Sequence, residues 1–214
     1  MTLSRSTIFL QKFVKERRTH YGLSKVSTVS DDELKSIVEE AVMHVPSPFN
    51  MQSGRAVILT GEASDKLWLN VVLPGYLKLV GGDENAINLN TTKITEYAAG
   101  YGTVMFFEDQ AAIDSMAAKI PPMAQYFPSW SENSTGMLQF TIWTALASEG
   151  MGASLQHFGA YSEEISTNVL KEFNLPSTWK STAMMPFGVA TGGPGHASRP
   201  KTFEPIGERV RFIQ

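Results

Sequence analysis

The chain has 214 residues, 43% of them hydrophobic and only 18% charged. That is enough apolar material for one medium-sized core, with less charge than the roughly 25% usual in soluble domains. Its 18 Lys+Arg against 21 Asp+Glu give a net charge of −3 with no basic block, which argues against nucleic-acid binding, and the absence of cysteine excludes disulfides, thiolate nucleophiles and Cys-held metal sites. Redox chemistry in such a chain falls to an organic cofactor or another metal. The thin supply of charge predicts that part of the surface is covered again, most simply by a second subunit.

The stretch Met1–Val14 carries Arg5 and Lys12 and lacks a continuous apolar run, so no secretory leader is expected, and no apolar segment is long enough for a membrane span. The cytoplasm is the expected location. The first helix is predicted over Ser6–Arg17, with Leu10, Phe13, Val14 and Arg17 on one face. Ser30-Asp31-Asp32-Glu33 reads as a capping box opening a second helix, with Leu34, Ile37, Val38, Ala41, Val42 and Val45 at helical spacing, stopped by Pro46-Ser47-Pro48. Arg55–Thr60 predicts a strand, and Glu62–Leu79 a helix kinked at Pro74. Tyr101–Glu108 is the strongest buried-strand candidate. Ser134–Glu149 is apolar nearly all round, which predicts a helix buried within the protein or between subunits. Ser162 is expected to cap a helix reaching Phe173. Thr182–Ala190 reads as a strand in which Pro186 argues for an edge or a break, and Glu208–Ile213 alternates like a strand. Helices and strands mix without a βαβ rhythm, so the fold class is α+β, as one domain over 1–214.

No P-loop, no G-x-G-x-x-G after a strand and no G-x-S-x-G elbow is present, and His20, His44, His157 and His196 are scattered without metal-ligand spacing. Three polar clusters remain, each with a plain structural reading. Arg17 and Arg18 end the first helix and suit its dipole as solvated cations. Pro46–Gln52 is a Pro-broken loop that Asn50 could rigidify by bonding its own backbone. Gly192–Lys201 is a glycine-rich surface loop.

Together, in this order, the clusters resemble the nitroreductase family of FMN-dependent oxidoreductases. The likeness is carried by Arg-Arg-Thr-x-Tyr-x-Leu-Ser at 17–24, Ser-Pro-Phe-Asn-x-Gln at 47–52, the apolar helix leaving through Glu149-Gly150-Met151-Gly152-Ala153, and Arg-Pro-Lys at 199–201. It runs over nearly the whole chain and looks most like the divergent branch that includes the fungal fatty-acid-repression proteins. The resemblance implies a mixed, mainly antiparallel sheet flanked by helices in an intertwined homodimer, with residues 209–214 embracing the partner. It implies that Arg17 and Thr19, beside Arg18, hold the FMN phosphate and ribityl chain, with Arg199 and Lys201 closing on the same phosphate. A dianionic phosphate without a P-loop needs such a set of cations. It places Ser47, Asn50 and Gln52 at the isoalloxazine and ribityl, and Leu155, Gln156 and His157 beside the ring, where a backbone N–H addresses flavin N5.

Tyr21 stands where many relatives carry a Lys or Arg near the pyrimidine edge, a charge that would stabilise reduced flavin. Arg18 and Arg55 are the alternatives for that charge. The implied activity is ping-pong reduction of nitroaromatics or quinones by NADH or NADPH, with the chemistry on FMN and no side-chain acid or base required. Two other readings compete: an FMN-binding protein of regulation or oxidative stress with weak reductase activity, which Tyr21 favours, and an oligomeric binding module without flavin.

Overall fold

The computed structural model describes residues 4–214; Met1–Leu3, the start of the stretch read for a leader, lie outside the described residues. The first helix begins as α1 (Arg5–Ile8), capped by Ser4, and continues as a wider π-helix over Phe9–Val14. It ends before the expected Arg17, so Arg17 and Arg18 lie beyond the helix and leave its dipole to other groups. Ser30 caps α2 (Asp31–His44) by accepting from Glu33 N at 3.2 Å, and Leu34, Val38 and Ala41 face the core. Strand β1 (Gly54–Thr60) leads into α3 (Gly61–Lys66), a π-wound turn (Leu67–Val72) and α4 (Leu73–Val80). The run thus passes through Pro74 without a break. In the turn before it Leu73 N–H reaches back to Trp68, and the wider winding takes up what a proline removes from an α-helical ladder.

Next come α5 (Glu84–Ala98), capped by Asp83, strand β2 (Gly102–Asp109), α6 (Gln110–Lys119), also capped by an aspartate, and α7 (Phe127–Ser148). α7 starts a full two turns before the expected Ser134. After it follow β3 (Gly152–Ala153), α8 (Phe158–Tyr161), α9 (Glu163–Glu172) with its Ser162 cap, and β4 (Trp179–Gly188). The tail forms one helical turn, α10 (Ile206–Arg209), and then runs extended with no neighbouring strand among the described residues. The expected strand at Glu208–Ile213 is therefore absent; Phe212 and Ile213 are 85% and 87% exposed. No helix among the described residues is long and apolar enough to cross a membrane.

The four strands form one sheet in the order β1-β2-β4-β3, with every ladder antiparallel. Among the described residues the only parallel pairing is a bridge from Thr19 to Ala153. β2 is central and buried on both faces. Met105 and Phe107 join Trp68, Tyr97, Phe158, Ile165 and Met184 on one side, while Val104 and Phe106 join Leu34, Leu138, Ile142, Met185 and Phe187 on the other. A strand sandwiched in this way reads as a continuous apolar run, which explains its strong sequence signal. Each such side chain contributes about 1.5–3 kcal/mol by leaving water.

β4 is also interior, so Pro186 marks neither an edge nor a break. Its carbonyl accepts from Ser154 N, and in an antiparallel ladder the N of the same residue faces the same neighbour. The missing N–H therefore falls on the side of the two-residue strand β3, where little ladder exists to lose.

Candidate functional site

Beyond the first helix the chain runs extended beside the C-terminal segment. Ser24 N bonds Val189 O, Thr191 N bonds Gly22 O, and Gly195 N bonds Thr19 O at 2.6 Å, with Gly195 at φ +75°. His20 N bonds Ala153 O on the other side. The approach depends on Gly152, where a Cβ would sit 2.8 Å from His20 Cβ. These pairings bring residues almost 180 positions apart into one cavity of about 360 Å³, lined by Arg17, Arg18, Thr19, Tyr21, Gly195, His196, Arg199 and Lys201. Four permanent cations share it with no carboxylate. Among the described residues none of the four is in a salt bridge.

Arg17 is the most constrained of them. Its guanidinium lies over the Trp143 ring at 4.4 Å and near Phe140 at 5.8 Å, both on α7. Burial first, and the charge of Arg18 second, push its pKa down from the ordinary arginine value. Its Nε is buried without a hydrogen-bond partner. A nitrogen buried without a partner is costly, and four cations without a carboxylate in one cavity have the chemistry to hold a compact anion. The solvated-cation reading of Arg17 is thereby set aside. Trp143, Gly195 and His196 belong to this site as well. Trp143 carried no signal beyond the apolarity of its helix.

Leu155, Gln156 and His157 lie along β4. Gln156 exchanges both backbone hydrogen bonds with Met184, at 2.8 and 2.7 Å, and its side chain donates to Ser154 Oγ at 3.1 Å. With the Gln156 N–H so committed, Leu155 and His157 are left as the backbone donors of this segment. His157 is anchored by a bulge. Phe106 pairs with Ala183 but Phe107 with Ser181, so Thr182 is an extra residue in β4. Thr182 Oγ1 donates to Phe106 O at 3.1 Å and accepts from Gln139 Nε2, while its carbonyl meets His157 Nδ1 at 3.0 Å. A carbonyl only accepts, so Nδ1 carries the proton and Nε2 is the nitrogen free to exchange one.

Ser47, Asn50 and Gln52 stand apart from the cationic cavity. Ser47 Oγ accepts from Gln52 N at 2.8 Å, so Ser47, and not Asn50, rigidifies the loop. Phe49, Asn50 and Gln52 all adopt positive φ, near +50° to +55°, a region unfavourable for residues other than glycine. Phe49 rests on Phe127 and Trp130 of α7. Gln52 lines a different opening, a groove of about 810 Å³ between α2 and the free edge of β1. Arg55 belongs to that groove too and is committed to Asp109 at 2.9 Å. Of the two alternatives for the charge missing at Tyr21, only Arg18 shares its cavity within one chain.

Residues 14–189 match the model of the nitroreductase family. HBN1 of Saccharomyces cerevisiae is 28% identical over 186 residues, 86% of this chain and 89% of that protein. The nitroreductase CinD from Lactococcus lactis, solved in complex with chloramphenicol, superposes with a TM-score of 0.81 at 37% identity, covering 96% of this chain and all of CinD; it has also been solved with nicotinic acid and with 4-nitrophenol. The same fold at 14% identity, TM-score 0.65 and coverage of 100% of this chain and 99% of the other, occurs in a protein from Desulfovibrio desulfuricans solved with FMN. With a family match spanning the sheet, both helical layers and the first arginine of the cationic cavity, the chain belongs to the nitroreductase family.

Proposed function

We propose that residues 1–214 form one FMN-binding domain of a homodimeric oxidoreductase that uses NADH or NADPH to reduce nitroaromatics or quinones by a ping-pong mechanism. The observation that carries this reading is the acid-free cavity with the orphaned Nε of Arg17. Arg17, Arg18, Arg199 and Lys201 would hold the terminal phosphate, Thr19 and Tyr21 the adjoining chain, and Leu155–His157 the ring. When bound, FMN supplies a two-electron carrier that accepts hydride from the nicotinamide and passes it to an acceptor. The protein's part is to bind, orient and exclude water. The complexes of CinD with chloramphenicol, 4-nitrophenol and nicotinic acid support nitro compounds and a pyridine ring as ligand classes for this chain.

A dimer is supported by what one chain leaves unfinished. Met137 and Phe140 of α7 remain 42% and 37% exposed, the apolar tail is free, and β1 has an open edge. Ser47, Asn50 and Gln52 reach a flavin only if a second copy presents them. Tail residues 210–213 have the alternation to add as a strand on that edge.

The test is direct. Purified protein should carry one FMN per chain and oxidise NADH or NADPH with a quinone or nitroaromatic acceptor, giving parallel lines in double-reciprocal plots. Protein without flavin absorbance refutes the reading. Tyr21, a neutral phenol in the cavity, favours a second reading, an FMN-binding stress-response or regulatory protein; stoichiometric FMN without turnover on any acceptor would establish it.

A further inference from the structure

A second cavity, of about 400 Å³, has His157 in its wall. It has room for several waters, at about 30 Å³ each in the liquid. Its walls are unusually polar. Glu108 at the end of β2 is 2% exposed, and one carboxylate oxygen accepts from the Thr135 hydroxyl while the other, Oε2, has no partner. Ser53 Oγ faces that carboxylate without a geometrically sound hydrogen bond, and Ser181 Oγ is likewise buried and unpartnered. A buried carboxylate left half satisfied costs stability. The fold tolerates it where water fills the space or where the group handles a proton.

The charged groups around Glu108 are few. Arg55 on β1 is tied to Asp109 beside it, Glu132 comes from α7, Lys180 from β4 and His157 from the segment before α8, while α6 presents only Gln110 and Ile113. Burial raises the Glu108 pKa above the ordinary carboxylate value; the Ser53 and Thr135 hydroxyls and Arg55 oppose the shift, and Glu132 adds to it. Glu108 therefore keeps its proton to higher pH than a surface glutamate does.

The reaction has a use for that proton. In the reductive half a hydride passes from the nicotinamide and no proton is required from the protein. In the oxidative half a quinone takes a hydride at one oxygen and a proton at the other, giving the hydroquinone; a nitro group takes the same pair and loses water to give the nitroso compound. One proton per turnover must enter.

We propose that the cavity among Glu108, Thr135, Gln139, His157 and Ser181 is a water-filled proton route, along which Glu108 supplies through His157 the proton the acceptor consumes. His157 takes up a proton at Nε2 from Glu108 through the cavity waters, becoming the imidazolium, and passes that proton from Nε2 to the acceptor as the hydride arrives; bulk water then reprotonates Glu108. The Thr182 carbonyl holds the other proton on Nδ1, which leaves Nε2 as the nitrogen that takes up and releases the relayed one. Glu108 acts through His157 and is a positioning and proton-holding residue. The inference rests on the FMN-dependent reading above.

The experiment uses FMN-loaded protein and p-benzoquinone in stopped flow, with the two half-reactions followed separately. Glu108→Gln keeps the shape of the side chain and removes the proton. It should slow the oxidative half-reaction by about 10²-fold, the usual size of a general-acid contribution, and flatten its pH profile, with the nicotinamide half-reaction far less affected. Formate should restore the rate in Glu108→Ala. Independently of turnover, nitrogen-resolved NMR of His157 should show a second inflection from Glu108 in the wild type and none in Glu108→Gln. Unchanged oxidation with an unchanged pH profile in Glu108→Gln overturns the proposal while leaving the FMN reading intact; a wild type that binds no FMN removes the reading itself.

Discussion

Removing Arg199 and Lys201 together should separate recognition of the phosphate from recognition of the ring. Both line the cationic cavity, and neither has a carboxylate partner among the described residues. A hydrogen bond to a charged group contributes about 1.5–3 kcal/mol net, so two lost contacts correspond to about 3–6 kcal/mol, or about 10²–10⁴ in Kd. Arg199 and Lys201 are exposed, and exposed charges are screened by salt. The lower end, about 10²-fold weaker FMN, is therefore the expected value. Arg17 and Arg18 remain to hold part of the phosphate, so binding should persist measurably. Riboflavin, which has the ring and ribityl without the phosphate, should bind the Arg199→Ala/Lys201→Ala protein almost as it binds wild type. Titration calorimetry of both ligands, at low and at near-physiological salt, reads the difference. The FMN deficit should shrink as salt rises. Equal weakening of FMN and riboflavin would refute the phosphate assignment, because the two side chains would then be supporting the loop and not the anion.

Three further outcomes are expected. Met137→Glu places a charge on the exposed apolar face of α7 and should dissociate the dimer at low micromolar concentration, at a cost of several kcal/mol for a charge buried without a partner; a wild type that is monomeric by light scattering with full FMN occupancy contradicts this. Glu108→Gln should stabilise the protein increasingly as pH rises. The unfolded carboxyl loses its proton near 4.5 whereas the folded one holds it longer, so the native state binds more protons above that pH and wild-type stability falls until the folded group has also ionised; parallel melting curves for the two proteins at pH 5 and 8 would exclude it. Tyr21→Lys should raise the flavin midpoint potential by about 20 mV, from about 1 kcal/mol of preferential stabilisation of the reduced anion at an effective dielectric near 20; an unchanged potential with FMN still bound removes Tyr21 from the pyrimidine edge.

Much of the fold is legible where local chemistry is strong. Ser30 and Ser162 mark helix starts because a hydroxyl at that position satisfies an orphan N–H, and both do so. β2 is legible because both its faces are buried. α5 is not, since its sequence ENAINLNTTKITEYA is rich in Asn and Thr, poor helix formers, and buries only Ile94, Tyr97 and Ala98. Its one clear local signal is the Asp83 cap. α6 likewise buries only Ile113. At Pro186 the local rule is sound but the inference fails, because whether a missing N–H matters depends on which neighbour it faces, and that is fixed by β3, not by β4.

The site divides in the same way. The cations are readable as residue types, but their union depends on hydrogen bonds between segments near residues 20 and 190, which no local pattern encodes. Glu108 reads as the acidic end of a strand, and the bulge at Thr182 leaves no trace in either strand alone, since it is a mismatch in count between the two. The loop at 47–52 is the most telling case. Phe49, Asn50 and Gln52 are held in a conformation that costs energy at each residue, yet among the described residues the side chain of Asn50 makes no hydrogen bond that would require it. Strain of that kind persists when surrounding structure imposes it, and here Ser47, Arg55 and the aromatic seat on α7 do so. The exposed face of α7, the open edge of β1 and the exposed tail, by contrast, have no such support from the described residues of their own chain. A second copy of the chain would cover these three at once, and in the proposed dimer the loop, already held in shape by its own chain, would meet the partner's cationic cavity and not its own.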